Sequence, residues 1–215
     1  YQKSFGTHTD TDNLPVENDD LYDVASLTKI LATLPSIMQL YDKGEVTLSA
    51  RLGEMLPVFK GSNKEDATLL DMLTHQARFQ PWIPFYVNTL DANKKPDSKY
   101  YKTYPTADFP YKVAENLYIR KDYNDSIIDR IAKSDLLSSK RYKYSDFSFI
   151  LLKEYLELKT KKKLDVLAND NFYSVMGMNH TTYKPLEKFG LNQIIPTEED
   201  NYYRYQTVQG NVHDM

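Results

Sequence analysis

The chain has 215 residues, of which 41% are apolar, and a formal net charge of -3. This size and apolar content predict one or two globular domains with a hydrophobic core. The near-balanced charge gives no reason to expect nucleic acid or an anionic membrane surface as a partner. No apolar run approaches the roughly 18 residues that span a bilayer, so we expect no membrane span. The absence of cysteine excludes a disulfide framework, a thiolate zinc site and a cysteine nucleophile.

The first long element is a predicted helix from about Ser26 to Lys43. Gly44 follows it as a left-handed cap, and Pro35 inside the pattern is expected to kink it. Apolar residues recur at the helical spacing that buries one face, at positions Leu27, Ile30, Leu31, Leu34, Ile37, Met38 and Tyr41.

Four further segments carry helical patterns, and Thr68 with Asp71 predicts a capping box at the start of the first of them. The segments are "ATLLDMLTHQA", "DSIIDRIAKSDLL", "FSFILLKEYLELKT" and "KLDVLANDNFYSVMGM". Strand signals are few: one short strand is expected in "YQKSFGTHTD" and one in the tail from Tyr183. Between Gln80 and Asn124 the chain is rich in Tyr, Pro and Lys, which predicts a long ordered excursion with little regular structure.

The first turn of the opening helix is unusual because it carries a lysine. Ser26 alone would be an ordinary N-cap with Lys29 on the surface. A lysine there opposes the helix dipole, however, and lies on the same face as Ser26. A partly buried amine at the positive end of a helix is expected to have a lowered pKa, and a neutral amine can accept the proton of a neighbouring hydroxyl. Ser26 and Lys29 are therefore candidate catalytic residues, although S-x-x-K by itself also fits the structural interpretation.

A second motif precedes another apolar helix. The segment "KYSDF" places Tyr144, Ser145 and Asp146 directly before that helix. One interpretation is that Ser145 or Asp146 caps the helix and Tyr144 packs against it. The other joins this motif to Ser26 and Lys29 in one site.

Together, "ASLTK" and "YSD" resemble two motifs of the serine β-lactamase and penicillin-binding-protein superfamily, in particular its class C-like β-lactamase-related serine hydrolases. The S-x-x-K motif is Ser26 to Lys29, and Y-x-N occurs as Tyr144 to Asp146, with aspartate in place of asparagine. The segment "LLDMLTHQARFQPW" resembles the family's L-L-x-H-x-S-G-L, with Ala77-Arg78 in place of Ser-Gly. The segment "HQARFQPWIPFY" further resembles the branch of this family in which the domain is fused to a glycoside hydrolase family three domain.

The resemblance covers residues from about 21 to 214 and implies an α+β fold of the β-lactamase/DD-peptidase type. We expect residues 1–215 to be a partial domain, cut at both ends, that carries most of the helical part and lacks much of the antiparallel sheet. The family's third motif, K-T-G or H-x-G, is expected beyond the last residue. A chain without that strand is expected to be nearly inactive by itself.

The resemblance also implies a mechanism. Ser26 would attack a carbonyl carbon and form an acyl-enzyme, Lys29 and Tyr144 would share the proton transfers, and the N–H of Ser26 would supply half of an oxyanion hole. Asp146 and Trp82 are candidate substrate-binding residues. No cofactor is implied.

The remaining candidates are weaker, and most are interpreted as structural. His75, and the pair His213 with Asp214, fall in this group, while His8, His180 and the carboxylates show no metal-ligand spacing. Trp82 and the tyrosines around Tyr100 either wall a cleft or pack in the core.

Two functions remain open. The first is a serine hydrolase of amides, esters or β-lactams, acting on a small molecule or a cell-wall peptide in a bacterial periplasm or envelope. The second is a non-catalytic module on the same fold that binds cell-wall glycan or peptide. The residues do not separate peptidase, esterase and β-lactamase.

Overall fold

The computed structural model describes residues 1–11, 13–114 and 116–195. The described residues form six α-helices and two small sheets. The helices are α1 (Leu34–Asp42), α2 (Leu52–Met55), α3 (Leu69–Leu73), α4 (Tyr123–Lys133), α5 (Asp146–Thr160) and α6 (Leu164–Ala168). The strands are β1 (Leu21–Tyr22), β2 (Tyr101–Lys102), β3 (Tyr111–Ala114), β4 (Leu117–Ile119) and β5 (Ile194–Ile195). Within these residues no helix has both the length and the apolar composition needed to cross a membrane.

Helix α5 lies at the centre of the described residues and contacts α1, α3 and α6. Its residues are buried around most of the circumference, which is typical of a helix enclosed by others. The buried positions are Phe147, Ser148, Phe149, Leu151, Leu152, Lys153, Tyr155 and Leu156. The buried ammonium of Lys153 is paired with Glu154 at 2.9 Å and Glu157 at 3.5 Å, as a buried charge requires. Because α5 is fixed on several sides, its first residue, Asp146, is held in place too.

The predicted helix from Ser26 to Lys43 is not one continuous α-helix. It begins as a 3₁₀ turn at Ala25–Leu27, continues as a π-helical turn at Lys29–Thr33, and becomes α-helical only at Leu34. Pro35 explains part of this change, since it has no N–H to donate to the preceding turn. The hydroxyl of Tyr173 donates instead to the carbonyl of Leu31 at 3.2 Å. The expected irregularity at Pro35 is therefore present, and it falls on the turn that carries Lys29.

The other four predicted helices are present, but α3 and α6 are shorter than predicted, and α6 is followed by a π-helical turn at Asn169–Tyr173. The hydroxyl of Thr68 accepts the N–H of Asp71 at 3.1 Å, and the Asp71 carboxylate accepts the N–H of Thr68 at 3.3 Å, which completes the capping box of α3. Gly44 follows α1 with φ of 71°, the left-handed geometry that glycine allows.

The expectation of little regular structure between Gln80 and Asn124 is partly wrong. This segment contains an antiparallel sheet in the order β2-β4-β3, with a bulge between Lys112 and Ala114. At the chain start the expected strand is only an isolated bridge between Thr7 and Pro15. In the tail, β5 pairs with β1 in parallel, with Leu21 opposite Ile194.

Candidate active site

Ser26 lies on a sharp turn directly after strand β1. Ala25 has φ of 43°, a left-handed conformation that is costly for a residue with a Cβ. The carboxylate of Asp23 accepts the N–H of Ala25 at 2.7 Å and holds this turn. Ser26 is exposed, and among the described residues its N–H has no hydrogen-bond acceptor. The turn therefore presents both the hydroxyl and the N–H of Ser26 to solvent.

The amine of Lys29 is the point at which the two sequence motifs meet. Its Nζ donates to Ser26 Oγ at 3.1 Å and lies 2.9 Å from Asp146 Oδ1. It also lies 5.4 Å from the centroid of the Tyr144 ring. The Lys29 and Asp146 side chains are only 12% and 16% exposed, so their ion pair is largely shielded from water.

The expected lowering of the Lys29 pKa is wrong. Burial does lower the pKa of this amine, and it is the largest single influence. Hydrogen bonds to Asp146 and Tyr144, with the charge of the Asp146 carboxylate, together outweigh it and hold the pKa above its ordinary value. Lys29 is therefore an ammonium at neutral pH, and it donates to Ser26 instead of accepting from it.

Tyr144 lies beside Lys29 and on top of His75. The His75 and Tyr144 ring centroids are 4.6 Å apart with an interplanar angle of 37°. Among the described residues no hydrogen bond joins the Tyr144 hydroxyl to Ser26 Oγ; the link between them passes through the Lys29 amine. Tyr144 is 39% exposed, so one side of the phenol faces solvent.

The segment from His75 to Pro81 holds the Tyr144 motif in place through backbone contacts. The N–H of Ser145 donates to His75 Nδ1 at 3.2 Å, and the N–H of Lys143 donates to the His75 carbonyl at 2.9 Å. The hydroxyl of Ser145 donates to the Gln80 carbonyl at 2.6 Å and accepts the N–H of Phe147 at 3.2 Å as the N-cap of α5. Two loops distant in sequence are thus joined at the site.

His75 is part of this site, although the sequence pattern favoured a purely structural role for it. Burial and the positive charge of Lys29 lower the pKa of His75. Its Nδ1 accepts a hydrogen bond from a backbone N–H, which requires an unprotonated nitrogen at that position. The ring is therefore neutral and serves to position Tyr144 and Ser145. The available signal was its place in the L-L-x-H segment named above.

The two candidate substrate-binding residues occupy different positions. Asp146 begins α5, and its N–H donates to the Pro81 carbonyl at 3.0 Å. Its carboxylate is engaged by Lys29. Trp82 follows Pro81 and is 50% exposed beside the start of α5.

Arg78 stands where the resembled family has glycine, and the structure retains the glycine-like backbone. Arg78 has φ of 64°. Its Nε donates to the Leu137 carbonyl at 2.6 Å, and the N–H of Leu137 donates back to the Arg78 carbonyl at 2.7 Å. These bonds offset the steric cost of the left-handed conformation.

The other histidines lie outside this site. His8 pairs with Asp20 at 2.9 Å near the chain start, and His180 contacts Phe189 edge-on. Among the described residues no group of three His, Asp or Glu side chains could hold a metal ion. His213 and Asp214 lie outside the described residues.

The helical arrangement around α5, with Ser26 and Lys29 before α1 and Tyr144 before α5, defines a β-lactamase/DD-peptidase-like α+β fold. A profile of the family described as "Beta-lactamase" matches residues 1–193. The chain belongs to this family.

Relatives and solved structures agree with this assignment. The N-acetylmuramyl-L-alanine amidase of Bacillus subtilis (strain 168) is 26% identical over 211 residues, which cover 90% of this chain and 43% of the amidase. The crystal structure of D-alanine carboxypeptidase AmpC from Burkholderia cenocepacia matches with a TM-score of 0.54 at 19% identity, over 82% of this chain and 39% of that one. A class C β-lactamase matches with a TM-score of 0.63 at 14% identity, over 98% of this chain and 49% of that one. The chain spans less than half the length of the curated relatives it matches.

Proposed function

We propose that this protein is a serine hydrolase that acts through an acyl-enzyme on an amide, ester or β-lactam carbonyl. The observation that carries the proposal is the 3.1 Å contact between Lys29 Nζ and Ser26 Oγ. It places a titratable amine at hydrogen-bond distance from the hydroxyl of an exposed serine, and that amine, once neutral, is positioned to accept the hydroxyl proton and activate Ser26 as a nucleophile.

In the proposed acylation step Ser26 Oγ attacks the carbonyl carbon while its proton passes to the base. The oxyanion of the tetrahedral intermediate accepts a hydrogen bond from the N–H of Ser26. The C–N or C–O bond to the leaving group then breaks, and the leaving group takes a proton from the acid. Lys29 and Tyr144 share these two proton transfers. In the second half of the reaction, water attacks the carbonyl carbon of the acyl-enzyme. Ser26 Oγ is then the leaving group and takes a proton.

The proposed substrate class is a component of the bacterial cell wall, and the proposed location is the periplasm or envelope. The names of the amidase and the carboxypeptidase support this choice. Trp82 is proposed to contribute one exposed wall beside the α5 N-terminus.

The test is covalent labelling of the full-length domain, with the strand expected beyond the last residue, by a serine-directed fluorophosphonate, followed by peptide mapping. We expect the probe on Ser26 and no labelling of Ser26→Ala. Ser49→Ala is the matched control, since Ser49 is an exposed serine in the loop after α1, and it should label as the wild type does. Probe found on another serine, or on none at any pH, would contradict the proposal.

The second candidate is a non-catalytic module that binds cell-wall glycan or peptide. The observation in its favour is that Lys29 is paired with Asp146 and donates to Ser26 in the resting site. Sedimentation with purified peptidoglycan tests this function. Binding that survives in Ser26→Ala, together with absence of labelling in the wild type, would favour the module.

A further inference from the structure

The ion pair between Lys29 and Asp146 gives the site a property that the S-x-x-K motif alone does not imply. The Lys29 ammonium lies between the Asp146 carboxylate at 2.9 Å and the Ser26 hydroxyl at 3.1 Å. An ammonium has three protons to donate and no lone pair to accept one. As long as this pair is intact, Lys29 cannot take the proton of Ser26.

The groups around Lys29 favour the charged form on balance. Asp146 faces it from the first turn of α5, Tyr144 from the residues just before that helix, and the His75 ring from the loop after α3. His75 is neutral, as its contact with the Ser145 N–H requires. The N-terminus of a 15-residue helix also favours the negative charge of Asp146.

We propose that Asp146 is a positioning residue that holds Lys29 as a hydrogen-bond donor to Ser26, so that Ser26 becomes nucleophilic only after this ion pair releases a proton. This inference rests on the proposed function of Ser26. The released proton goes to hydroxide or to a buffer base, and the resulting amine then accepts the Oγ proton as the acyl bond forms. The rate of acylation should therefore rise steeply with pH on the alkaline side of neutrality.

Asparagine at position 146 is the direct test, because it keeps the shape of the side chain and removes the charge. In Asp146→Asn the burial of Lys29 is no longer opposed by a carboxylate, so the neutral amine becomes more populated. An opposite charge at this distance commonly shifts a pKa by one to three units. We therefore expect fluorophosphonate labelling of Ser26 at pH 7.5 to be about 10-fold or more faster in Asp146→Asn, with the ascending limb of the pH–rate profile moved to lower pH.

The matched control is Asp170→Asn. It removes the carboxylate from another Asp–Lys pair, Lys162 with Asp170 at 2.8 Å, whose side chains are about half exposed. The pH–rate profile for labelling of this variant should have the same ascending limb as that of the wild type. The inference would be overturned if the ascending limb does not move in Asp146→Asn, or if it moves equally in Asp170→Asn.

A second measurement does not depend on catalysis. The Nζ of Lys29 can be followed by ¹⁵N NMR through a pH titration of Ser26→Ala, with and without Asp146→Asn. We expect Lys29 to titrate at a higher pH when Asp146 is present than when asparagine replaces it. Equal titration in the two proteins would overturn the inference even if Ser26 labels normally. Failure of Ser26 to label at any pH would instead reject the proposed function, while the NMR titration would still decide the role of Asp146.

Discussion

The imidazole ring of His75 lies against the phenol ring of Tyr144, with ring centroids 4.6 Å apart. His75 has φ of 54°, and its Nδ1 accepts the N–H of Ser145. One side chain thus supports the face of Tyr144 and fixes the backbone of the next residue. Tyr144 is held by contacts from the loop after α3, which precedes it by about seventy residues.

Replacing His75 should loosen Tyr144 as well as lower stability. Asparagine tolerates the left-handed backbone but lacks the ring. We expect His75→Asn to lose about 1–2 kcal/mol of unfolding free energy, from one stacked ring and one hydrogen bond. Fluorophosphonate labelling of Ser26 should also slow.

The control for this prediction is His180→Asn, because His180 is exposed and contacts Phe189 edge-on. It should change neither labelling nor, beyond a few tenths of a kcal/mol, stability. Urea unfolding and the labelling time course provide both readouts. A His75→Asn protein that is destabilised but labels Ser26 at the wild-type rate would show that His75 is structural only.

The same histidine predicts a pH dependence of stability. Because its folded-state pKa lies below the ordinary value, the unfolded chain binds a proton first as the pH falls. The contribution of His75 is fully present above the ordinary histidine pKa of about 6.5. It is lost as the pH falls through the lower folded-state value.

The measurement is urea unfolding from pH 7.5 down to pH 5. The unfolding free energy of the wild type should decline more steeply than that of His75→Asn, which has no imidazole at this position. Parallel pH profiles would mean that His75 protonates as easily in the folded protein as in the unfolded chain.

Removing the amine of Lys29 should cost both stability and reactivity. The sequence pattern predicts a neutral or slightly stabilising effect for Lys29→Met, because an unfavourable charge leaves the first turn. The structure reverses that expectation, since the carboxylate of Asp146 would be left without its cation. Breaking a fully buried pair costs 3–5 kcal/mol. Because both side chains keep some contact with water, we expect a loss of about 1–3 kcal/mol.

The double variant Lys29→Met with Asp146→Asn should recover most of this loss, because no unpaired charge remains. Labelling of Ser26 should fall by roughly 10²–10⁴ in either protein, as is typical of a lost general base. If Lys29→Met and the double variant are equally stable, the unpaired Asp146 carboxylate does not destabilise the folded protein. Wild-type labelling in Lys29→Met would leave Tyr144 as the base.

Arg78 gives a prediction about backbone strain. Arg78→Ala loses the bond to the Leu137 carbonyl and keeps a Cβ at φ of 64°. Arg78→Gly loses the same bond but relieves the steric cost of about 1–2 kcal/mol, against about 0.5–1 kcal/mol for the greater freedom of unfolded glycine. Arg78→Gly should therefore be more stable than Arg78→Ala by about 0.5–1 kcal/mol in thermal or urea unfolding. If Arg78→Ala is more stable than Arg78→Gly, the left-handed backbone at position 78 is not strained.

The sequence alone indicated most of the helices and the family, and it named the candidate reactive residues. Helix α5 and the capping box at Thr68 follow from local periodicity and from hydrogen bonds between near neighbours, which need no tertiary contact. The motifs at Ser26 and Tyr144 carry chemistry in their residue types, so the candidate residues could be named before their positions were known.

Tertiary structure decided the charge on Lys29 and the support of Tyr144. A pattern around Ser26 shows a lysine at the start of a helix, and from that alone a lowered pKa is the correct expectation. The partner that reverses it, Asp146, comes from a helix more than a hundred residues later, and only folding brings the carboxylate to 2.9 Å. His75 is likewise placed by packing across α3 and α5. Electrostatic interactions depend on distance in space, and sequence separation does not encode that distance.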